Sequence, residues 1–218
     1  MNLDGRRIRM VMELRRLGVT DPRVLGAMER CPREEFLALA WADQAYEERP
    51  LPIGYDQTIS QPSVVGLMLQ ALDIKPGQRV LEIGVGSGYQ TTLLSGLCRA
   101  VYGIERIKPL LDIAEQRLRK LGIRNAFLRW GDGGLGWPEA APYDRIIAAA
   151  AANDVPGALA DQIKPGGVIV LPIRQDDGAQ RIWRILRDDS GFKTEEICQA
   201  PFVPFLSGAV SGENREWA

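Results

Sequence analysis

The chain has 218 residues, 45% hydrophobic and 25% charged, which is ordinary for one sizeable globular domain. Its 27 Lys and Arg against 28 Asp and Glu leave a formal net charge of −1, so nucleic acid and anionic membranes are not expected as partners. Histidine is absent, which removes the usual general base, the Ser-His-Asp and Cys-His nucleophile systems and the commonest zinc ligand.

Three cysteines, Cys31, Cys98 and Cys198, are far apart and lack CxxC spacing. A disulfide framework and a thiolate metal site are therefore not expected, and a reducing cytoplasm is. The start Met1-Asn2-Leu3-Asp4-Gly5-Arg6-Arg7 is basic without the apolar run of a signal peptide. No segment approaches the roughly 20 apolar residues of a membrane span.

Residues 5–50 read as a helical cap. Ile8, Val11, Leu14 and Leu17 fall near one face, Asp21-Pro22 makes an N-cap and first-turn pair before Val24, Leu25 and Met28, and Pro32 opens a further start before Phe36. The segment 49–62 holds three prolines and several small polar residues and is expected to be an ordered loop rather than a regular element. An apolar helical pattern resumes over 63–72 and stops at Lys75-Pro76-Gly77.

Strands and helices then alternate: strands over 79–83, 100–105, 126–130, 145–149 and 168–173, with helices starting near 89, 108 and 155. Short apolar strands separated by helices imply parallel pairing with right-handed crossovers, hence an α/β, Rossmann-like doubly wound sheet. The runs 181–187 and 195–205 have no helix between them and predict an antiparallel C-terminal edge. Residues 207–218 are polar and predict a loose tail. The whole reads as one domain, with a cap and substrate loop over 1–62 and the core over 63–206.

In Val80-Leu81-Glu82-Ile83-Gly84-Val85-Gly86-Ser87-Gly88-Tyr89 a buried strand ends at a turn that opens a helix, which is where open α/β sheets bind ligands. The third glycine comes one residue early for a dinucleotide fingerprint, and the Gly-Lys-Ser/Thr ending of a P-loop is missing. The loop suits a nucleoside that has no pyrophosphate and carries an amino-acid head, which describes S-adenosylmethionine. Glu82 is placed to draw the methionine ammonium, Glu105 at the next strand end to accept from the ribose hydroxyls, and Asp132, beside Gly133, to accept from the adenine amino group. A lone G-x-G-x-G is often only a tight turn. Its occurrence with acids at three successive strand ends is what discriminates.

Several stretches resemble the protein-L-isoaspartate O-methyltransferase family. They are Pro32-Arg33-Glu34-Glu35-Phe36, Leu51-Pro52-Ile53-Gly54, Gln57-Thr58-Ile59-Ser60-Gln61-Pro62, the glycine loop, Ile104-Glu105-Arg106, Gly131-Asp132-Gly133 with Gly136-Trp137, residues 162–167 and Phe202-Val203-Pro204. Together they span about 6–206, and the Thr-Ile-Ser-Gln-Pro run is far more specific than the glycine loop.

The resemblance implies methyl transfer from S-adenosylmethionine to the α-carboxylate of L-isoaspartyl residues in damaged proteins and peptides. Spontaneous closure to a succinimide and hydrolysis partly to aspartate then follow. Beside the resemblance, the chain is expected to be a cytoplasmic monomer that holds no metal. Ser60 matches the family's active-site serine and would orient the attacking carboxylate. Thr58, Ile59 and Gln61 would line the cofactor side, and Ile53 and Val203 the substrate side. A carboxylate has a reference pKa near 4, so the nucleophile is ionised at neutral pH and no base is required.

The chain departs from the family pattern at Asp56 (usually Gly), Val85 and Ala149 (usually Thr) and Gly134 (usually Tyr). The lost hydroxyls at 85 and 149 would weaken cofactor hydrogen bonds, each worth about 0.5–1.5 kcal/mol. A negative charge at Asp56, close to Ser60 in sequence, would repel an anionic substrate unless it points away or pairs with Arg33 or Arg49. Two alternatives stay open on this account: methylation of another peptide or small-molecule carboxylate, and an inactive cofactor-binding module.

Overall fold

The computed structural model describes residues 3–211. Helix α1 (Leu3–Arg16) buries Met10, Val11 and Leu14; Ile8, expected on that face, is 56% exposed because the buried stripe starts one turn later. Helix α2 (Pro22–Arg30) is capped as expected, the Asp21 side chain accepting the Arg23 amide. A 3-10 turn over Arg33–Phe36 and the short α3 (Leu39–Ala42) complete the cap.

The segment expected to be an irregular loop is a β-hairpin, with β1 (Leu51–Gly54) antiparallel to β2 (Gln57–Ile59). Its two-residue turn places Tyr55 at φ 54 and Asp56 at φ 56, as a type I′ turn requires. Pairing Leu51 with Ile59 buries both, and Pro52 is tolerated because a two-stranded ribbon consists only of edge strands. Helix α4 (Pro62–Leu72) follows at once.

The core runs β3 (Arg79–Ile83), α5 (Tyr89–Ser95), β4 (Ala100–Glu105), α6 (Lys108–Lys120), β5 (Ala126–Trp130), β6 (Tyr143–Ala148), α7 (Gly157–Gln162), β7 (Ile163–Arg174), β8 (Gln180–Asp188) and β9 (Gly191–Gln199). The sheet order is β5-β4-β3-β6-β7-β8-β9, parallel through β7 and antiparallel beyond it, which is the doubly wound sheet and antiparallel edge expected. The last strand lies earlier than the expected 195–205. Pro201 and Pro204 carry no amide donor, and after Ala200 donates a last bond to the Gln180 carbonyl residues 201–206 leave the ladder.

Side chains alternate across the sheet with a period of two. Val80, Val101, Ile147, Val168 and Val170 pack with the cap, α4 and α5; Leu81, Ile83, Ile104, Ile146 and Leu171 face the other side with Leu159 of α7. The chain reverses its winding between β3 and β6, and the crevice at their carboxyl ends is the switch point where such sheets bind ligands.

Of the expected loose tail, residues 207–211 are tied down: Arg106 donates to the Ser207 and Gly208 carbonyls, and Val210 bridges to Ile107. Residues 212–218 lie outside the described residues. Among the described residues no helix is long and apolar enough to cross a membrane, and no group of three or more His, Cys, Asp or Glu is arranged to hold a metal ion.

Candidate active site

The glycine loop turns with Gly84, Gly86 and Gly88 all at positive φ (84, 55 and 87°), a backbone that L side chains rarely adopt. At Gly86 the need is also spatial, because a Cβ would stand 3.2 Å from Cδ1 of Ile53. The β1–β2 hairpin therefore rests on the loop. The Gly84 amide donates to the Ile104 carbonyl and the Ala149 amide to the Ile83 carbonyl, each at 2.9 Å, which fixes the loop between the ends of β4 and β6.

One pocket opens at this junction. It is lined by Ile53, Thr58, Ile59 and Ser60 from the hairpin and its exit, by Gly84 and Gly86, by Glu105, by Gly133, and by Val203 from the C-terminal segment. These predicted residues, scattered over 150 positions of sequence, meet in space. Glu105 is 4% exposed; its Oε2 accepts the Gly86 amide at 2.8 Å and its Oε1 the Ile107 amide at 2.9 Å. Burial raises its pKa above the usual carboxylate value, while the backbone amides pull the other way. A carboxylate has about four acceptor positions, so these amides leave some for a ligand.

Ser60 is half-buried in the pocket lining. Among the described residues its contact with the protein runs through its backbone, Arg33 Nη2 donating to the Ser60 carbonyl at 2.6 Å.

Four predicted residues do not line the pocket. Glu82 follows the same parity as Val80 and points to the α5 side of the sheet, where it is fully buried. It accepts from Thr91 Oγ1 at 2.6 Å and Gln90 Nε2 at 3.1 Å, and burial pushes its pKa up to about 8. Asp132 has both oxygens on backbone amides, Gly134 at 2.8 Å and Gly208 at 2.6 Å, so it caps a short turn and holds the C-terminal segment. Gly88 allows close packing, since a Cβ there would meet the Ala114 Cβ at 3.3 Å. Gln61 sits at the N-cap of α4, its carbonyl accepting the Val65 amide.

Asp56 stands at the exposed tip of the hairpin and does not line the pocket. The suggested partners are engaged elsewhere, Arg33 with the Ala45 and Ser60 carbonyls and Arg49 with Glu47.

The sequence reading missed Tyr89, Arg106, Leu110 and the pair Phe205-Leu206, which also line the pocket. The C-terminal segment reaches it as a strap: Ala151 exchanges backbone hydrogen bonds of 2.8 Å with Val203 and Phe205, and five residues on the Val210 amide meets the Arg106 carbonyl at 2.6 Å. Only the Phe202-Val203-Pro204 motif hinted at this. Val85 and Ala149, noted as departures, are both in the lining.

The family model described as protein-L-isoaspartate(D-aspartate) O-methyltransferase matches residues 6–210. The chain is 52% identical over 206 residues to the protein-L-isoaspartate O-methyltransferase of Paramagnetospirillum magneticum, covering 94% of this chain and 96% of that one. A solved protein-L-isoaspartate O-methyltransferase superposes with a TM-score of 0.83 at 29% identity, over 94% of this chain and 67% of that one. A Plasmodium falciparum chain solved in complex with S-adenosyl-L-homocysteine shares the fold, with a TM-score of 0.79 at 24% identity over 91% of this chain and 97% of that one. This chain belongs to the protein-L-isoaspartate(D-aspartate) O-methyltransferase family.

Proposed function

We infer that this chain is an S-adenosylmethionine-dependent carboxyl O-methyltransferase that methylates the α-carboxylate of L-isoaspartyl residues in damaged proteins, the first step of their repair. The observation that carries this reading is the meeting of the Thr58–Ser60 stretch with the glycine loop and Glu105 around one pocket, in a chain of this family.

The lining fits the cofactor's chemistry. Glu105 offers carboxylate lone pairs to a sugar diol, the loop offers backbone, and Ile83, Val85 and Leu110 offer apolar surface to a nucleoside. When bound, S-adenosylmethionine supplies an electrophilic methyl group on a sulfonium.

The chain's own task is to align and to dry the reaction. The acceptor carboxylate is already ionised at neutral pH, so a protein without histidine lacks nothing it needs. The Ser60 hydroxyl donates to one carboxylate oxygen and leaves the other to attack. Ile53 and the strap residues Val203–Leu206 exclude water from the approach. Closure of the ester to a succinimide, and its hydrolysis partly to aspartate, need no enzyme.

The reading extends to a single domain, with cap and substrate loop over 1–62 and core over 63–206. It places the protein in the cytoplasm as a monomer acting on isoaspartyl proteins and peptides, apart from nucleic acid and membrane. The near-neutral charge and reduced cysteines support this. The position of Asp56 at an exposed tip takes away the electrostatic reason for a different acceptor.

The test is methyl transfer to an isoaspartyl peptide and to its aspartyl twin. Labelling of the first alone is expected; equal labelling of both, or of neither, overturns the reading.

A further inference from the structure

Arg33 is fully buried, and no carboxylate among the described residues forms an ion pair with it. Its Nε donates to the Ala45 carbonyl at 2.7 Å and its Nη2 to the Ser60 carbonyl at 2.6 Å. The guanidinium lies 4.6 Å from the ring centroid of Tyr89, the first residue of α5. Nη1 and the Tyr89 hydroxyl are both buried and neither has a partner in good hydrogen-bond geometry, although the two groups interact with each other. Glu48 acts on it only at longer range and is itself exposed, bonded to Ser63.

A charge in such a place is a poor stabiliser. Desolvation of an ion with no counter-ion is unfavourable, and an apolar side chain of similar volume would fill the space without that cost. A neutral donor could satisfy the Ser60 carbonyl, though with a weaker bond. What the guanidinium adds is a fixed positive charge, retained in spite of burial because its intrinsic pKa is so high. That charge sits directly behind two residues of the pocket wall, Ser60 and Tyr89. In a low-dielectric interior its field reaches further than it would in water.

We propose that Arg33 is a positioning residue for the acceptor: it fixes the Ser60 carbonyl, and its un-neutralised charge makes that side of the pocket attractive to a carboxylate. The proposal rests on the isoaspartyl reading, in which an anion must leave water to reach Ser60. It gives the cap a role in the reaction, since the turn that carries Arg33 also anchors Ala45 in the same guanidinium.

The test compares Arg33→Met and Arg33→Lys with the wild type in steady-state turnover of an isoaspartyl peptide and in calorimetry with S-adenosylhomocysteine. In Arg33→Met the peptide KM should rise roughly tenfold or more, as for a lost hydrogen bond to a charged group. The S-adenosylhomocysteine Kd should stay within about threefold, and Arg33→Lys, which keeps the charge and a donor but not the planar fork, should recover part of the KM. An unchanged KM, a Kd that falls away with it, or a lysine no better than methionine overturns the proposal. If Arg33→Met does not fold, Arg33→Lys decides alone: its residues 59–61 should exchange amide hydrogens faster than wild type while the glycine loop does not. Equal exchange with an unchanged KM overturns the proposal there. A wild type that labels no isoaspartyl peptide marks failure of the functional reading instead.

Discussion

Glu105 Oε2 accepts the Gly86 amide at 2.8 Å, so the carboxylate that ends β4 is also a clamp on the glycine loop. Its other oxygen holds the Ile107 amide, one residue before α6. Glu105, the proposed ribose acceptor, and the loop are one hydrogen-bonded unit, and a change in either is felt by both.

Replacing Glu105 by Gln keeps the size but puts an amide donor against one of two backbone donors. Affinity for S-adenosylhomocysteine should fall roughly ten- to hundredfold by calorimetry, the range for a hydrogen bond to a charged group. Unchanged affinity would remove Glu105 from the cofactor site.

Ser60→Ala takes away the hydroxyl and leaves the carbonyl that Arg33 holds. Turnover should fall roughly tenfold or more, as for loss of one preorganised donor, with cofactor affinity intact. A large loss of affinity would place Ser60 at the cofactor rather than the acceptor.

Glu82 is pushed up from 4.5 to about 8 by burial. Between these values the folded protein holds a proton that the unfolded chain has released, so stability falls as pH rises through that window. In Glu82→Gln the amide can still accept from Gln90 and donate to Thr91, and the part of the slope due to this group should vanish. Melting temperatures at about pH 5 and about pH 8.5 check this: the wild type should lose more than the variant. Parallel curves would mean that Glu82 stays ionised.

Asp56→Gly relieves a left-handed residue at φ 56 on the exposed hairpin tip. Turnover on an isoaspartyl peptide should stay within about twofold, because Asp56 does not line the pocket. A marked drop in peptide KM would show that the Asp56 charge reaches the acceptor after all.

The strands of the core were legible because buried parallel strands are short apolar runs, and the observed β3, β4 and β5 match the expected boundaries. The hairpin was not. Its prolines read as loop, and Tyr55-Asp56 lacks the Asn-Gly signature of a type I′ turn. Glu82 shows a second kind of difference between the expected and the observed placement. Standing next to the loop in sequence does not mean facing the ligand, since one step along a strand turns a side chain to the opposite face. Asp132 was read as a free acceptor because its partner, the Gly208 amide, lies 76 positions away.

The amino-acid sequence by itself determined the fold class, the kind of ligand and the chemistry. Fold class and kind of ligand follow from local rules, the spacing of apolar runs and the glycines where the backbone must turn. The chemistry follows from the family resemblance carried by Thr58-Ile59-Ser60-Gln61-Pro62, with which the absence of histidine agrees. Only the tertiary structure decided which acids face the pocket, that the hairpin folds onto Gly86, and that a strap from beyond β9 closes the site. These depend on strand parity and on hydrogen bonds between distant segments, whose partners are chosen when the chain packs.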